Sequence, residues 1–293
     1  MNISVIIPVY NDPDGLANTL DSLVLQTYSA DKYETIVVDN NSSDSTPEVI
    51  SKFEEEHPKI VKFKEERELQ GSYAARNTGI EEATGEILVF VDSDMIASPD
   101  LLESIDNAFY EGEFDYIGCN VRVKIPDGED SLLASYNKAR AFPIEFYLNK
   151  HNFSPTCGLA VKKSVVEDVG YFDERLISGG DSEFGKRVAD AGYNQGFAQD
   201  AKLTHPARTT YSEIISKGVR LGRGRAQLRA YNGKRSISIS DFLPPHPMKY
   251  KERIGREYSL LQFTLFYIFE IFMKAFKLRG ILSERSSLQA KNK

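Results

Sequence analysis

The sequence predicts an α/β protein with a mostly parallel sheet, helices on both of its faces, and a C-terminal helical extension. Three observations carry that expectation. Short β-branched runs alternate with helically spaced apolar residues across the first 95 positions, the pattern of successive right-handed β-α-β crossovers. Acidic, amide and phenolic side chains recur where those runs end, at Tyr10-Asn11, Asp39-Asn40 and Asp92-Asp94, and ligands of such sheets bind beyond the carboxyl ends of the strands. The chain has 293 residues, 41% of them hydrophobic, so it can bury a large core without disulfide or metal staples.

In chain order, "ISVIIPVY" is a strand, and Pro13 to Gln26 is a helix because Leu16, Leu20, Leu23 and Val24 share a face. "ETIVVDN" forms a second strand, Ser45 to Glu55 a helix opened by Ser, Thr and Pro, and "IVKFKEE" a third strand. Ser72 to Ala83 reads as a helix and "EILVFVDSD" as the fourth strand. The remainder is less regular. "FDYIGCNVRVKI" and "SPTCGLAVKKS" read as strands, the latter running into a short helix, and Gly192 to Ala198 as another short strand. Between them, "SGGDSEFGKRVADAGY" combines two glycines, two acids and an amphipathic stretch. A helix covers Tyr211 to Tyr231, the loop "NGKRSISISDFLPPHP" follows, and a last helix runs from about Lys249 to Lys277.

The net charge of −7 conceals an imbalance: residues 1–201 hold 17 Lys and Arg against 37 Asp and Glu, whereas residues 202–293 hold 19 against 6. A basic part of this kind meets phosphates, lipid head groups or the acidic part of its own chain. "KGVRLGRGRAQLR" gathers Lys217, Arg220, Arg223, Arg225 and Arg229, yet it lacks the interleaved aromatics or recognised module of a nucleic-acid site, so no nucleic acid is expected. Cys119 and Cys157 have no metal-ligand spacing, and the N-terminus enters a strand directly, without a basic n-region. A reduced cytoplasmic setting is therefore expected.

Asp92 and Asp94, two residues apart, lie on one side of an extended chain. Such a pair suits a hard divalent cation that completes its shell with substrate phosphates; acid-Ser-acid also makes Asx turns. Asp181 presents a similar choice, between capping a helix and serving as a base. Neither a GxxxxGK[ST] loop nor a GxGxxG after the first strand is present, so a diphosphate would be neutralised by a metal rather than a glycine loop.

Five blocks in order, "SVIIPVYND", "IVVDNNSSDST", "AARNTGIEEATGEILVFVDSDM", "CGLAVKKSVVEDVGYFDERLISGGDSEFGKRVADAGY" and "LTHPARTTYSEIISKGVRLGRGRAQL", resemble the family 2 glycosyltransferases with the GT-A fold, over about residues 3–230. The resemblance implies a GT-A domain over residues 1–231, with a nucleotide-binding half at 1–95 and an acceptor half at 96–231, and an extension over 232–293. Pro8, Val9, Tyr10 and Asn11 would line the nucleotide pocket, Asp39 would bind the base edge, and Arg76 would face the donor phosphates. Asp92, Ser93 and Asp94 match the family's DxD motif, with Asp94 on the metal (Mn2+ or Mg2+), Asp92 on the ribose or a metal water, and Ser93 in donor binding. His205 is a further metal ligand by the same comparison. Asp181 would be the general base, with Glu183 as the alternative; the family's usual Glu before that Asp is here Gly180.

The implied activity is metal-dependent, inverting transfer from a nucleotide-diphosphate sugar to a hydroxyl of a glycan or lipid-linked glycan. The other readings are a polyprenyl-phosphate sugar synthase and a non-catalytic nucleotide-sugar-binding or scaffold subunit. In "YSLLQFTLFYIFEIFMKAFKLRG", Glu270, Lys274 and Lys277 form a polar stripe and Phe263, Leu265, Phe266, Ile268, Phe269, Ile271, Phe272 and Phe276 cover most of the rest. With Lys249, Lys251, Arg253, Arg256 and Arg279 flanking it, this segment predicts a peripheral helix on the cytoplasmic membrane face, a core helix or a dimer interface.

Overall fold

The chain runs β1 (Ile3–Val9), α1 (Pro13–Val24), β2 (Tyr33–Asp39), α2 (Thr46–Glu56), β3 (Val61–Glu65), α3 (Ser72–Glu82), β4 (Ile87–Phe90), β5 (Ile96–Ala97), α4 (Leu101–Gly112), β6 (Tyr116–Lys124), α5 (Leu132–Ala139), α6 (Ile144–His151), β7 (Leu159–Lys162), α7 (Lys163–Val169), α8 (Gly180–Asp190), β8 (Gln195–Pro206), α9 (Tyr211–Tyr231), α10 (Pro247–Ile254) and α11 (Leu260–Lys291). The computed structural model describes residues 1–140, 142–235, 237–254 and 258–291. It divides into two units, one comprising Met1–Arg122, Phe142–Arg175 and Gly180–Pro206, the other Val123–Ala141, Leu176–Gly179 and Ala207–Lys293.

The first unit is built on an eight-stranded sheet in the order β3-β2-β1-β4-β7-β6-β8-β5. The four predicted N-terminal strands pair in parallel. Beyond β4 the sheet turns antiparallel, through β4–β7, β6–β7 and β5–β8. β1, β2 and β4 are buried along their whole length, as central parallel strands are, which is why they read as continuous apolar runs rather than alternating ones. In register, Val9 lies opposite Asp39 and Ile6 opposite Phe90, so the strands deliver Tyr10, Asn40 and Asp92 to one edge of the sheet. The short strand predicted at Gly192–Ala198 is longer and later, Gln195–Pro206, and carries His205. Cys119 and Cys157 are free and buried, and burial pushes the Cys119 thiol up to about 12.

At the opposite end of β2, Glu34 is buried and accepts from Ser4 Oγ, Thr84 N and Thr84 Oγ1, each at 2.7 Å, and from Lys62. Burial alone would raise its pKa; the hydrogen bonds from Lys62, Ser4 and Thr84 outweigh that and hold it at about 2.

In the second unit, α9 opens with a capping box between Thr210 and Glu213 and packs along α11 through glycine. A Cβ on Gly222 would lie 2.0 Å from the Lys277 carbonyl oxygen, and one on Gly280 would lie 2.1 Å from that of Val219. Only hydrogen fits there, so the two backbones touch. The single helix predicted over Lys249–Lys277 is instead two, α10 and α11, and the second extends to Lys291. Ser259 and Gln262 supply the start: Ser259 Oγ accepts from Gln262 N (3.2 Å) and Gln262 Oε1 from Ser259 N (3.0 Å), a capping box inside the apolar run.

The polar stripe of α11 also departs from expectation, because it faces the protein. Glu270 is buried, paired with Arg140 and with Lys277 and hydrogen-bonded by Tyr136 at 2.6 Å. Despite its burial, those cations and the hydroxyl hold its pKa down. Phe266 and Met273 are buried beside it with Leu133, Ile214, Tyr250 and Ile254, while Leu261, Leu265, Ile268 and Phe272 point outward. Of the predicted basic flank, Arg256 and the side chains of Lys249 and Arg253 lie outside the described residues. Among those residues, no helix is long and apolar enough to cross a membrane.

Glu34 gives a test of the pH dependence of this fold. Its pKa is depressed on folding, so its stabilisation is full above pH 4.5 and is lost as the pH falls towards 2. Glu34→Gln is expected to cost about 1–3 kcal/mol at neutral pH and almost nothing near pH 2, measured as Tm against pH beside the wild type.

Candidate active site

Three consecutive residues, Asp92, Ser93 and Asp94, leave the end of β4, and each is held by a different element. Asp92 accepts from Arg76 Nη2 of α3 at 2.5 Å. Ser93 Oγ donates to Asp12 Oδ2 at 2.8 Å, and Asp12 caps α1 by accepting from Gly15 N at 3.1 Å. Asp94 Oδ2 lies 3.4 Å from His205 Nε2 of β8. Thr19 closes the turn from beneath: its hydroxyl accepts from Met95 N at 3.0 Å and lies 2.7 Å from the Ser93 carbonyl. Asp12 and Thr19 were missed in the sequence, although Asp12-Pro13 is a helix-start signal.

The nucleotide-pocket candidates share the neighbouring loops. Pro8 and Val9 are buried in β1, whereas Tyr10 is 51% exposed at its end. Asn11, at a left-handed φ of 50° that Asn tolerates, donates through its N–H to Ser42 Oγ (2.9 Å) and accepts from Ser43 N (2.8 Å). Asp39 is buried and accepts from Ser42 N at 3.2 Å. The loops after β1 and β2 are thus tied together.

Arg76 is 3% exposed. Its partners are Asp92 and the Ser72 carbonyl (3.1 Å), and its buried Nε has no hydrogen-bond partner among the described residues. The guanidinium also lies over the Tyr73 ring, 5.7 Å from its centroid. Tyr73 is itself buried, stacked on Phe172 at 5.7 Å, and its hydroxyl oxygen accepts from Gly180 N at 2.9 Å and Asp181 N at 3.4 Å. Asp181 therefore sits in the first turn of α8 and shares its capping: the phenol takes the N–H groups of Gly180 and Asp181, and Asp181 Oδ1 takes that of Ser182 at 2.9 Å. Burial, and after it the charge of Asp181, drives the Tyr73 pKa upward, so the hydroxyl stays protonated.

The same ring explains Gly180. A Cβ there would stand 2.8–3.0 Å from three carbons of the Tyr73 ring, so Tyr73 fills the space a larger side chain would need. No sequence signal links these positions, which are 107 residues apart. Glu183 is occupied differently: Arg187 grips both of its oxygens, at 2.7 and 2.9 Å, and also donates to the carbonyls of Val169, Gly170 and Tyr171.

Asp94 and His205 form the pair with metal-ligand chemistry. His205 Nδ1 lies 2.5 Å from the Pro206 carbonyl oxygen, which can only accept, so Nδ1 carries a proton and Nε2 is the ring nitrogen turned to Asp94. Carboxylate oxygen and imidazole nitrogen are both donors to divalent cations. Among the described residues no three His, Cys, Asp or Glu side chains gather at one point, so a cation here would take its other ligands from water and substrate oxygens.

The family model described as glycosyl transferase family 2 matches residues 4–170. The chain is a family 2 glycosyltransferase. Glycosyltransferase AglE of Haloferax volcanii is 40% identical to it over 226 residues, covering 77% of this chain and 73% of that one. In structure this glycosyltransferase resembles the mannosyltransferase PcManGT of Pyrobaculum calidifontis, solved in complex with GDP-Man and Mn2+ (TM-score 0.66, 23% identity, 97% of this chain and 86% of that one). It also resembles Staphylococcus aureus TarS 1–349 in complex with UDP-GlcNAc (TM-score 0.56, 18% identity, 99% and 92%). Both likenesses show the shared GT-A fold, with the C-terminal helix present. In this glycosyltransferase the matched residues include Arg76 and Asp92 to Asp94, while Asp181 and His205 lie beyond them.

Two substitutions probe the contact between Tyr73 and α8. Tyr73→Phe keeps the ring and removes the cap, and is expected to cost about 1 kcal/mol. Gly180→Ala forces the ring aside and is expected to cost about 1–3 kcal/mol. Denaturant unfolding of the purified variants measures both.

Proposed function

We propose that this glycosyltransferase transfers a sugar from a nucleotide-diphosphate donor to a hydroxyl of a glycan, with inversion and with a divalent cation, and that the acceptor is lipid-linked at a membrane surface. The observation that carries the reading is the Asp92-Ser93-Asp94 turn, held from three elements with Asp94 Oδ2 3.4 Å from His205 Nε2. The GDP-Man and UDP-GlcNAc complexes of the two structural neighbours support a nucleotide-sugar donor, and the Mn2+ of one supports the cation.

In this reading Pro8, Val9 and the exposed Tyr10 border the nucleoside, with Asn11 holding their loop, and Asp39 accepts from its base. Asp94 and His205 hold the cation, which when bound neutralises the charge building on the leaving diphosphate. Arg76 acts chiefly by fixing Asp92, since two of its nitrogens are spent on Asp92 and Ser72; its Nε remains as the donor for a phosphate oxygen. Ser93 serves donor binding by fixing the turn to α1.

Asp181 takes the proton of the acceptor hydroxyl as the glycosidic bond forms, because an alcohol is far too weak an acid to ionise unaided near neutrality. Glu183 is the poorer base: the bidentate Arg187 pair occupies both of the oxygens that would receive the proton. A single base opposite the leaving group gives one displacement, hence inversion at the anomeric carbon.

Two measurements test the proposal. Donors tested with and without Mn2+ should raise the Tm of the wild type in a metal-dependent way, and Asp94→Asn should abolish that dependence. Asp181→Asn should keep the donor-induced shift while lowering kcat by about 10²–10⁴-fold, and NMR of the new linkage should show inverted configuration. Retained configuration would overturn the single-displacement chemistry, and full activity in Asp181→Asn would favour an already ionised phosphate acceptor, as in a polyprenyl-phosphate sugar synthase.

A further inference from the structure

The outward row of α11 has no counterpart in the chemistry above. Leu261, Leu265, Ile268 and Phe272 recur at steps of four, three and four, and are 69, 38, 58 and 51% exposed. The helix is oriented against its own amphipathicity: its acid, Glu270, is buried among Arg140, Tyr136 and Lys277, while these large apolar side chains meet solvent. A core of its own already satisfies the inner face, through Phe266, Met273 and Ile281. The loop before α10 is bound along a flank of the same helix. Lys274 Nζ donates to the carbonyls of Ser240 (2.9 Å) and Leu243, and Tyr267 Oη to that of Pro245 (2.7 Å). These bonds hold beside α11 a loop whose Phe242 and Leu243 are 60 and 56% exposed.

The charges around this surface are one-sided. Residues 207–293 hold 18 Lys and Arg against 6 Asp and Glu. Three of those acids are consumed internally: Glu270 as above, Asp241 by Arg229 and Arg225, and Glu284 by Arg223 and Gln227. Among the described residues Glu213 is then the exposed acid, against the exposed Arg220, Lys234, Arg235, Lys251 and Arg285, and Arg279, seven residues beyond Phe272, continues the apolar row.

We propose that this row and the Phe242-Leu243 loop dock the protein on an anionic lipid surface, α11 lying in the plane of the head groups. The proposal rests on the membrane-surface reading of the acceptor but not on the assignment of the base or the metal. An apolar stripe about 16 Å long, carried on a unit of strong positive charge, fits an interface where acyl chains receive Leu, Ile and Phe and acidic head groups receive Arg and Lys. A second copy of the chain fits less well, since pairing two such units would bring like charges together.

Co-sedimentation of the full chain with phosphatidylcholine vesicles, with and without phosphatidylglycerol, tests this. The wild type is expected to pellet with the anionic vesicles, more weakly with the neutral ones, and less as salt rises. The triple variant Leu265→Ser, Ile268→Ser, Phe272→Ser is expected to lose about tenfold or more in binding, while its Tm shift with nucleotide-sugar donor and Mn2+ equals that of the wild type. That shift is the control separating this proposal from the proposed chemistry: a wild type that binds vesicles without responding to any donor supports the surface and counts against the chemistry. Failure of the wild type to bind anionic vesicles, or equal binding by the variant, overturns the proposal. A wild-type dimer that the variant converts to monomer, without vesicle binding, overturns it in favour of self-association.

Discussion

Arg76 lies almost wholly out of water, and a guanidinium in that position is tolerable because Asp92 meets its charge, the Ser72 carbonyl takes another donor and the Tyr73 ring lies beneath it. The rest of the site is arranged around that solution. By taking Asp92, Arg76 fixes the first residue of the turn after β4; the turn then presents Ser93 to the cap of α1 and Asp94 to β8. By resting on Tyr73, it also adjoins the phenol that closes the first turn of α8. One buried cation thus joins the strand end that carries the metal-ligand candidate to the helix that carries the candidate base.

Much of this was legible in the sequence, and the reasons it was or was not are physical. The four parallel strands could be read because burial on both faces makes an apolar run that no surface segment imitates. Their carboxyl ends could be read because ligand sites of such sheets lie there. The antiparallel half was harder: β8 carries exposed and buried residues in irregular alternation, so only its first residues looked like a strand. Tyr73 could not be found at all. A tyrosine in a helix is ordinarily a packing residue, and nothing local tells that its hydroxyl closes a helix 107 residues away. Asp181 was read from a motif, and its ambiguity between cap and base has a structural ground: its Oδ1 takes the Ser182 N–H while the Tyr73 phenol takes the two before it, a division no local pattern reveals.

α11 shows how periodicity can mark a stripe without saying which way it turns. The charges at Glu270, Lys274 and Lys277 do form a stripe, but an acid flanked by Arg140, Lys277 and a tyrosine hydroxyl is better satisfied inside than a lone one would be. α9 permits this arrangement because Gly222 and Gly280 bring the two helix backbones into contact. Long side chains bridge the same seam further along, where Arg223 and Gln227 of α9 hold Glu284 of α11, while the network around Glu270 ties α11 to the end of α5.

The ring of Tyr73 against Gly180 has a consequence for how such a site can change over time. A larger side chain at 180 collides with the phenol, and a smaller one at 73 leaves two helix N–H groups without an acceptor and a hole beside them. Each single step is a loss, so the two positions can be exchanged only together or by way of a neighbour that compensates first. The pair behaves as an inherited unit. Grafting the "GGDSEF" segment alone into a relative that lacks the tyrosine would bring over the acids without the contact that orients them.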